Sequence, residues 1–170
     1  MTNKKICLLG SFAVGKTSLI NQFVNESFSF KYHTTIGVKI DKKDIKINNS
    51  DLGLLIWDIH GQDNFQNIRS SYIMGASGYF IVVDATRRES LGVVRELMDT
   101  VKQTVGDIPY NVLVNKSDLG PLFEISNQDL KDIGINEEDI IWTSARTGLG
   151  VQTAFITLGN KMTNGVRTVK

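Results

Sequence analysis

Apolar residues along the chain alternate between short continuous runs and wider helical spacings. The short runs predict strands at 4–10, 38–47, 53–58, 78–84, 110–115 and 139–145. In the second of these the apolar parity breaks between Ile40 and Ile45, which predicts a β-bulge. Asn48 and Asn49 predict a turn that pairs this strand antiparallel with the next.

Helical spacings of apolar residues predict helices at 18–24, 89–105 and 151–162, whereas 59–76 is polar with a weak helical pattern. Strands that alternate with helices indicate an α/β protein with a mostly parallel sheet and helices on both faces. Ligands of such sheets bind beyond the carboxyl ends of the strands. The informative loops should therefore follow Leu9, Asp58, Asp84, Asn115 and Trp142.

Length and composition narrow the class of protein. A chain of 170 residues suits one domain, 1–170, and 41% hydrophobic with 22% charged residues is ordinary for a soluble globular protein. A net charge of +1 gives no global field toward nucleic acid or anionic membranes, so we expect no nucleic-acid partner. The lone Cys7 excludes a disulfide scaffold and fits the cytoplasm.

Neither end of the chain predicts a membrane anchor. No apolar stretch is long enough for a membrane span, and the C-terminal TNGVRTVK has no cysteine for prenylation. We therefore expect a cytoplasmic monomer without a lipid anchor in this chain, and recruitment to membranes through partners remains open.

The strongest chemical signal is Gly10-x-x-x-x-Gly15-Lys16-Thr17, between the first strand and the first helix. Glycines let backbone N–H groups wrap phosphates, and the helix N-terminus adds partial positive charge. In such a loop the lysine reaches the β- and γ-phosphates and the threonine hydroxyl binds Mg²⁺. A chance glycine-rich turn is the alternative, and the strand-loop-helix context disfavours it.

The segment Asp58-Ile59-His60-Gly61-Gln62 follows the third strand. Asp58 can hold Mg²⁺ through water, and the N–H of Gly61 can approach a γ-phosphate because no Cβ intervenes. Gln62 can orient an attacking water. Alone this segment is equally ordinary turn chemistry; together with the phosphate loop it predicts nucleoside triphosphate hydrolysis.

Base recognition is predicted by Asn115-Lys116-Ser117-Asp118. The Asp118 carboxylate can accept both the N1–H and the 2-amino group of guanine, whereas adenine offers neither donor. The Lys116 stem can cover the base, and Asn115 can tie this loop to the phosphate loop. A plain loop cap is the alternative, because Asn and Asp favour turns.

A second candidate for the base follows the sixth strand, at Thr143-Ser144-Ala145-Arg146, where the Ala145 N–H can donate to guanine O6. A helix N-cap explains that segment equally well. Between the first helix and the second strand, either Thr34 or Thr35 can add a hydroxyl to Mg²⁺ and an N–H to the γ-phosphate.

With these motifs in order, residues 4–160 resemble a small GTPase of the Ras superfamily, most similar to the Rab branch. The resemblance extends to Y-x-x-T-I-G-V at 32–38, I-W-D at 56–58 and T-S-A at 143–145. It implies a P-loop NTPase three-layer fold with a six-stranded sheet, the second strand antiparallel, and about five helices. It also implies two switch loops, 26–38 and 59–75, that bind protein effectors and regulators.

The resemblance selects Thr35 over Thr34 and places Phe28 edge-on to guanine. It implies GTP or GDP as ligand with Mg²⁺ held by Thr17, Thr35 and, via water, Asp58, and Gln62 and Lys16 as catalytic residues. The implied phosphate-binding residues are Ser11, Phe12, Ala13, Val14, Gly15, Lys16, Thr17, Ser18, Thr35 and Gly61. The implied guanine-binding residues are Phe28, Asn115, Lys116, Asp118, Ser144, Ala145 and Arg146.

Departures from the family pattern predict a slow enzyme. Phe12 stands where relatives carry a small residue, and its ring should obstruct an incoming arginine or displace Gln62. His60 can donate to the γ-phosphate or pack outward, and we favour the second. Arg69 and Arg87 are interpreted as surface residues.

The leading function is a guanine-nucleotide switch that hydrolyses GTP. A GTP-binding module with negligible hydrolysis, acting as a constitutive scaffold, is the alternative that Phe12 supports and Gln62 opposes. A third class, an ATP-dependent phosphotransferase, conflicts with Asp118.

Overall fold

A computed structural model describes residues 1–31, 35, 37–60 and 70–164. Its strands are β1 Thr2–Leu9, β2 Val38–Ile47, β3 Ser50–Ile59, β4 Gly78–Asp84, β5 Tyr110–Asn115 and β6 Ile140–Trp142. Its α-helices within these ranges are α1 Lys16–Asn25, α2 Ser70–Ile73, α3 Val94–Val105, α4 Asn127–Asp132 and α5 Val151–Asn164. In the described ranges, no helix has the length and apolar character needed to cross a membrane.

The strands form one six-stranded sheet in the order β2-β3-β1-β4-β5-β6. Every neighbouring pair is parallel except β2 with β3, so five strands run in one direction. The predicted three-layer architecture is therefore confirmed. Since the five parallel strands end at the same edge of the sheet, their following loops meet there.

Two hydrophobic cores lie on opposite faces of the sheet. On one face α1 and α5 meet through Phe23 and Phe155, whose rings stack with centroids 3.7 Å apart. On the other face α3 buries Val94, Leu97 and Val101. β4 is buried along its whole length because both of its faces are covered, which is why it is a continuous apolar run.

The predicted bulge in β2 is wrong. β2 pairs with β3 in unbroken register from Val38 opposite Ile59 to Ile47 opposite Ser50. The parity changes because the strand buries different faces along its length: Ile45 and Ile47 lie in the core under α1 and α5, whereas Val38 packs on the other face. Ile40 is half exposed, so it marks no core face.

The predicted strand at 139–145 is too long, since β6 ends at Trp142 and Thr143–Ala145 belong to the following loop. The predicted helix 89–105 is divided into a 3₁₀ turn, Arg88–Leu91, and α3. The turn at Asn48 and Asn49 is confirmed, with φ of 49° and 65°. Helix α4 was not predicted, although Ser126 and Asp129 form a capping box at its start.

Candidate nucleotide-binding site

A cavity of about 380 Å³ opens at the carboxyl edge of the sheet. It joins the loops that follow β1, β5 and β6 to the segment after α1. Most of the predicted site residues line it together: Phe12, Ala13, Gly15, Lys16, Thr17, Ser18, Phe28, Thr35, Asn115, Lys116, Asp118, Ala145 and Arg146. The spacing of motifs in the sequence therefore corresponds to one continuous site.

Lys16 occupies the phosphate end of the cavity, at the start of α1. Its Nζ donates to the carbonyl oxygens of Gly10 at 2.9 Å and Ser11 at 3.0 Å. Burial lowers the pKa of Lys16 to about 8; the charge of Asp58 opposes this shift and that of Arg87 adds to it. The ammonium is thus held at the loop, where burial disfavours its charged form. A bound anion would stabilise that charged form.

Thr17, Thr35 and Asp58 bring their oxygen atoms together beside Lys16. Thr17 Oγ1 donates to Asp58 Oδ2 at 2.5 Å and lies 2.7 Å from Thr35 Oγ1. Asp58 Oδ1 is buried and has no hydrogen-bond partner within the described part of the chain. Burial raises the pKa of Asp58, against hydrogen bonds from both threonines and the charge of Lys16. A carboxylate with an unsatisfied oxygen and two hydroxyls is a donor set that fits Mg²⁺.

Asp118 occupies the opposite, base end of the cavity. Its Oδ1 accepts a hydrogen bond of 2.8 Å from Ser144 Oγ, and its Oδ2 lies 3.8 Å from Arg146 Nη1. The side chain is only 15% exposed, so a base that leaves its oxygens unpaired would incur a desolvation cost. The carboxylate is thereby held in place before any ligand arrives.

Asn115 ties the base end to the phosphate loop, as predicted. Its Nδ2 donates to the Val14 carbonyl at 3.0 Å. Its Oδ1 accepts from Thr143 Oγ1 at 3.2 Å and from the Ala145 N–H at 3.3 Å. Since Ala145 N–H donates to Asn115 here, its donation to guanine O6 stays a prediction.

An aromatic pair covers one side of the base end. The Phe28 and Phe30 rings meet edge to face with centroids 5.0 Å apart, and the Arg146 guanidinium lies 5.2 Å from the Phe30 ring centroid. Phe30 was not predicted at the site; the sequence signal for it is a second aromatic residue two positions after Phe28. Other lining residues that were missed are Asn21, Ser29, Lys31, Ile59 and Leu119.

Some predicted residues do not line the cavity. Ser11, Val14, Asp58 and Ser144 lie buried beneath its wall. Gly61 and Gln62 fall outside the described residues, as do Thr34 and Arg69, so their predicted roles stay predictions. His60 lines the cavity, contrary to the outward packing that was favoured.

The loop after β4 supports the site, although no motif was recognised in it. Lys116 Nζ lies 2.7 Å from Asp84 Oδ2 and donates to the Ala13 carbonyl at 3.3 Å. Burial alone would raise the pKa of Asp84, but the bonds from Lys116 and Thr86 together lower it. The expected sheet topology had placed this loop among the five that could contribute to a ligand site, and this is the sequence evidence for its role.

Arg87, in the same loop, is not a surface residue as predicted. It is half buried, and its Nη2 donates to the Phe12 carbonyl oxygen and to Ser11 Oγ, the latter at 3.3 Å. The sequence could not indicate this because the two partners are 75 and 76 positions away.

Comparison with known proteins agrees with this geometry. The family model described as "Ras family" matches residues 5–164. The chain is 33% identical to Ras-related protein Rab-1 of Theileria parva, over 95% of this chain and 75% of that protein. It is 33% identical to Ras-related protein RABA4d of Arabidopsis thaliana, over 91% of this chain and 70% of that protein. It is 35% identical to Ras-related protein Rab-2B of Dictyostelium discoideum, over 89% of this chain and 76% of that protein.

Proposed function

Because the chain belongs to the Ras family, it is a guanine-nucleotide-binding GTPase, and we propose that it is a switch with slow intrinsic GTP hydrolysis. One observation carries the proposal: a single cavity joins Lys16 at one end to Asp118 at the other. A ligand that satisfies both ends carries a polyphosphate and a base with two adjacent donors. Guanosine triphosphate has both.

The phosphate chain lies against the loop at 10–17 in this proposal. Lys16 neutralises charge that develops on the phosphates during in-line attack of water. Thr17, Thr35 and, through water, Asp58 would hold Mg²⁺, which would supply further neutralising charge when bound. The 1% exposure of Asp58 keeps its carboxylate from solvent and makes its charge effective at the site.

The base lies between Phe28 and Lys116, with its N1–H and 2-amino group on Asp118. Ser144 and Arg146 position that carboxylate from the protein side. An adenine in the same place leaves the carboxylate facing no donor, which disfavours ATP by about 10⁴-fold. Selection of guanine thus follows from one carboxylate, Asp118, that is held in place by Ser144 and Arg146.

Slow hydrolysis follows from Phe12. Phe12 lines the cavity at the phosphate loop. The resemblance to the family implies that Gln62 and an incoming arginine of an activating protein act beside this position. A bulky ring there hinders the alignment of the attacking water by Gln62. We therefore propose that both intrinsic and stimulated hydrolysis are slow.

Switching depends on Thr35, which lies between α1 and β2 and contacts Thr17 at the proposed cation site. A γ-phosphate and Mg²⁺ that bind Thr35 hold the segment 26–38 in one arrangement, and loss of the phosphate releases it. Effectors and regulators then distinguish the two states of 26–38 and 59–75 by their difference in affinity.

A constitutive GTP-binding scaffold is the second candidate, and the position of Phe12 in the cavity is what favours it. Phosphate release from the GTP-loaded protein, followed over hours at saturating Mg²⁺, separates the two functions. A switch releases stoichiometric phosphate in that time, whereas a scaffold retains GTP.

Exchange of Asp118 for asparagine tests base recognition. Asp118→Asn replaces an acceptor by an amide that can donate to the 2-oxo group of xanthine. We expect GTP affinity to fall by about 100-fold or more, while affinity for xanthosine triphosphate rises. Competition binding against labelled GDP measures both changes.

Asp107→Asn is the matched control, since that carboxylate is 84% exposed and lies 3.3 Å from Lys102 Nζ on the surface. It should leave the affinity for both nucleotides unchanged. GTP affinity that survives Asp118→Asn would overturn the base assignment.

A further inference from the structure

The first five carbonyl groups of the phosphate loop are each held by a side chain. Each carbonyl from Gly10 to Val14 accepts a hydrogen bond from a side chain of the loop's own lysine or of a neighbouring loop. The donors, in order along the loop, are Lys16 to Gly10 and Ser11, Arg87 to Phe12, Lys116 to Ala13 and Asn115 to Val14. Arg87 is the donor in this set that belongs to none of the recognised motifs.

The backbone of Arg87 is held at both its N–H and its carbonyl, which sets the point from which its side chain extends. Its N–H donates to the Asp84 carbonyl at 3.0 Å. Its own carbonyl accepts from the Ser90 N–H at 3.1 Å and from Ser90 Oγ at 2.7 Å. Ser90 is buried, 1% exposed, and anchors the turn that follows β4. The side chain therefore leaves a rigid turn toward the loop.

The placement of this guanidinium has a cost that its bonds to the loop offset. Within the described ranges, Arg87 Nε is buried without a hydrogen-bond partner. Leaving a charged group partly unsatisfied is unfavourable, whereas a charge-assisted bond to a carbonyl is among the stronger ones. Both acceptors, Ser11 Oγ and the Phe12 carbonyl, are reached by the same guanidinium nitrogen, Nη2.

Contact with the Phe12 carbonyl orients the peptide that continues into Ala13. In a trans peptide the N–H of Ala13 is directed opposite to the Phe12 carbonyl. A cation that holds the carbonyl outward turns that N–H inward and polarises it as a donor. Ala13 has φ of 60°, which is unfavourable for a residue with a Cβ, so the loop needs such support.

We propose that Arg87 is a positioning residue that clamps the phosphate loop in its nucleotide-binding shape from the side away from the nucleotide. Arg87 does not line the cavity, so it acts through the Phe12–Ala13 peptide. The inference rests on the proposed function of this loop in holding phosphates. It predicts an effect on nucleotides with a β-phosphate and none on base selection.

The test compares Arg87→Ala, Arg87→Gln and Arg87→Lys with Arg88→Ala. Arg88 is the matched control because it is the next residue and pairs on the surface with Asp129 at 2.7 Å. We expect Arg87→Ala and Arg87→Gln to release GDP about tenfold faster than wild type, Arg87→Lys to recover part of the loss, and Arg88→Ala to match wild type.

The ratio of GDP to GMP affinity separates positioning from general destabilisation, because GMP lacks the β-phosphate that the loop cradles. The ratio should fall about tenfold in Arg87→Ala and Arg87→Gln and stay constant in Arg88→Ala. An equal loss of affinity for GDP and GMP, or GDP release rates equal to wild type, would overturn the role of Arg87 but leave the proposed function standing. Wild-type protein that binds no GDP would overturn the proposed function with it.

Discussion

Phe12 is the residue at which this chain most changes the chemistry of its own site. Phe12 lines the cavity within a loop whose other positions between the two glycines are serine, alanine and valine. The backbone of Phe12 has a separate task, since its carbonyl accepts from Arg87. Substitution of the side chain leaves in the chain the carbonyl that accepts from Arg87.

Phe12→Gly and Phe12→Ala should both hydrolyse GTP faster than wild type, by about tenfold, because the attacking water can then be aligned by Gln62. Single-turnover hydrolysis of pre-loaded GTP is the measurement. Phe123→Ala serves as the control, since Phe123 packs on Trp142 outside the cavity. A rate that is unchanged or slower in both Phe12 variants contradicts the proposed obstruction.

Residues whose role depends on spacing within a motif were predictable, and residues whose role depends on a distant partner were not. Lys16 and Asp118 follow strands that end at one edge, so their convergence follows from the topology. Arg87 supports the phosphate loop through a contact with Phe12, 75 positions away, that no local pattern indicates. His60 was misjudged because its side-chain direction depends on how its strand ends.

At the scale of elements, the start of the phosphate loop depends on close approach to β4. A Cβ added at Gly10 would lie 2.4 Å from the Val82 carbonyl oxygen, a backbone atom that cannot move without displacing β4. β4 is buried on both faces and cannot yield. The loop would have to shift away from the sheet instead.

Gly10→Ala should therefore lower the free energy of unfolding by about 2–3 kcal/mol and weaken GDP binding. Urea unfolding measures the first effect and competition binding the second. Gly120→Ala is the control, because a Cβ there meets no atom within 4 Å in the described structure. Equal stability of the two variants would show that the loop and β4 are less tightly coupled than the distance indicates.

The bounds of strands and helices were predictable where burial is the same along the whole element. β4 and β5 begin and end where the apolar runs do, because burial is continuous. The bulge predicted in β2 was wrong because the two ends of the strand are buried by different layers. The resulting change in apolar parity has the same sequence pattern as a bulge. α4 has only one residue, Leu130, in the core, so its periodicity is too short to detect.

At the scale of the whole molecule, the site draws on both hydrophobic cores. The phosphate loop connects β1 to α1, whose Leu19, Ile20 and Phe23 belong to one core. The loop after β5, which also lines the cavity, follows Val114, a residue of the other core. A ligand that contacts both loops therefore connects elements of both layers. Its binding should raise the free energy of global unfolding.

Protein stripped of nucleotide should thus gain stability from GDP with Mg²⁺. At about 1,000 times its Kd, a ligand that binds only the folded state stabilises by about 4 kcal/mol, which raises the Tm of a domain this size by about 8–16 °C. Chelation of Mg²⁺ should remove part of that gain, because Asp58 Oδ1, which has no hydrogen-bond partner among the described residues, then loses the water that the cation would hold against it. ATP with Mg²⁺ is the control: it can occupy the phosphate loop but leaves Asp118 without donors, so its shift should be far smaller. A shift from ATP equal to that from GDP would mean that the phosphate end alone carries the stabilisation and that the two layers are not bridged through the base.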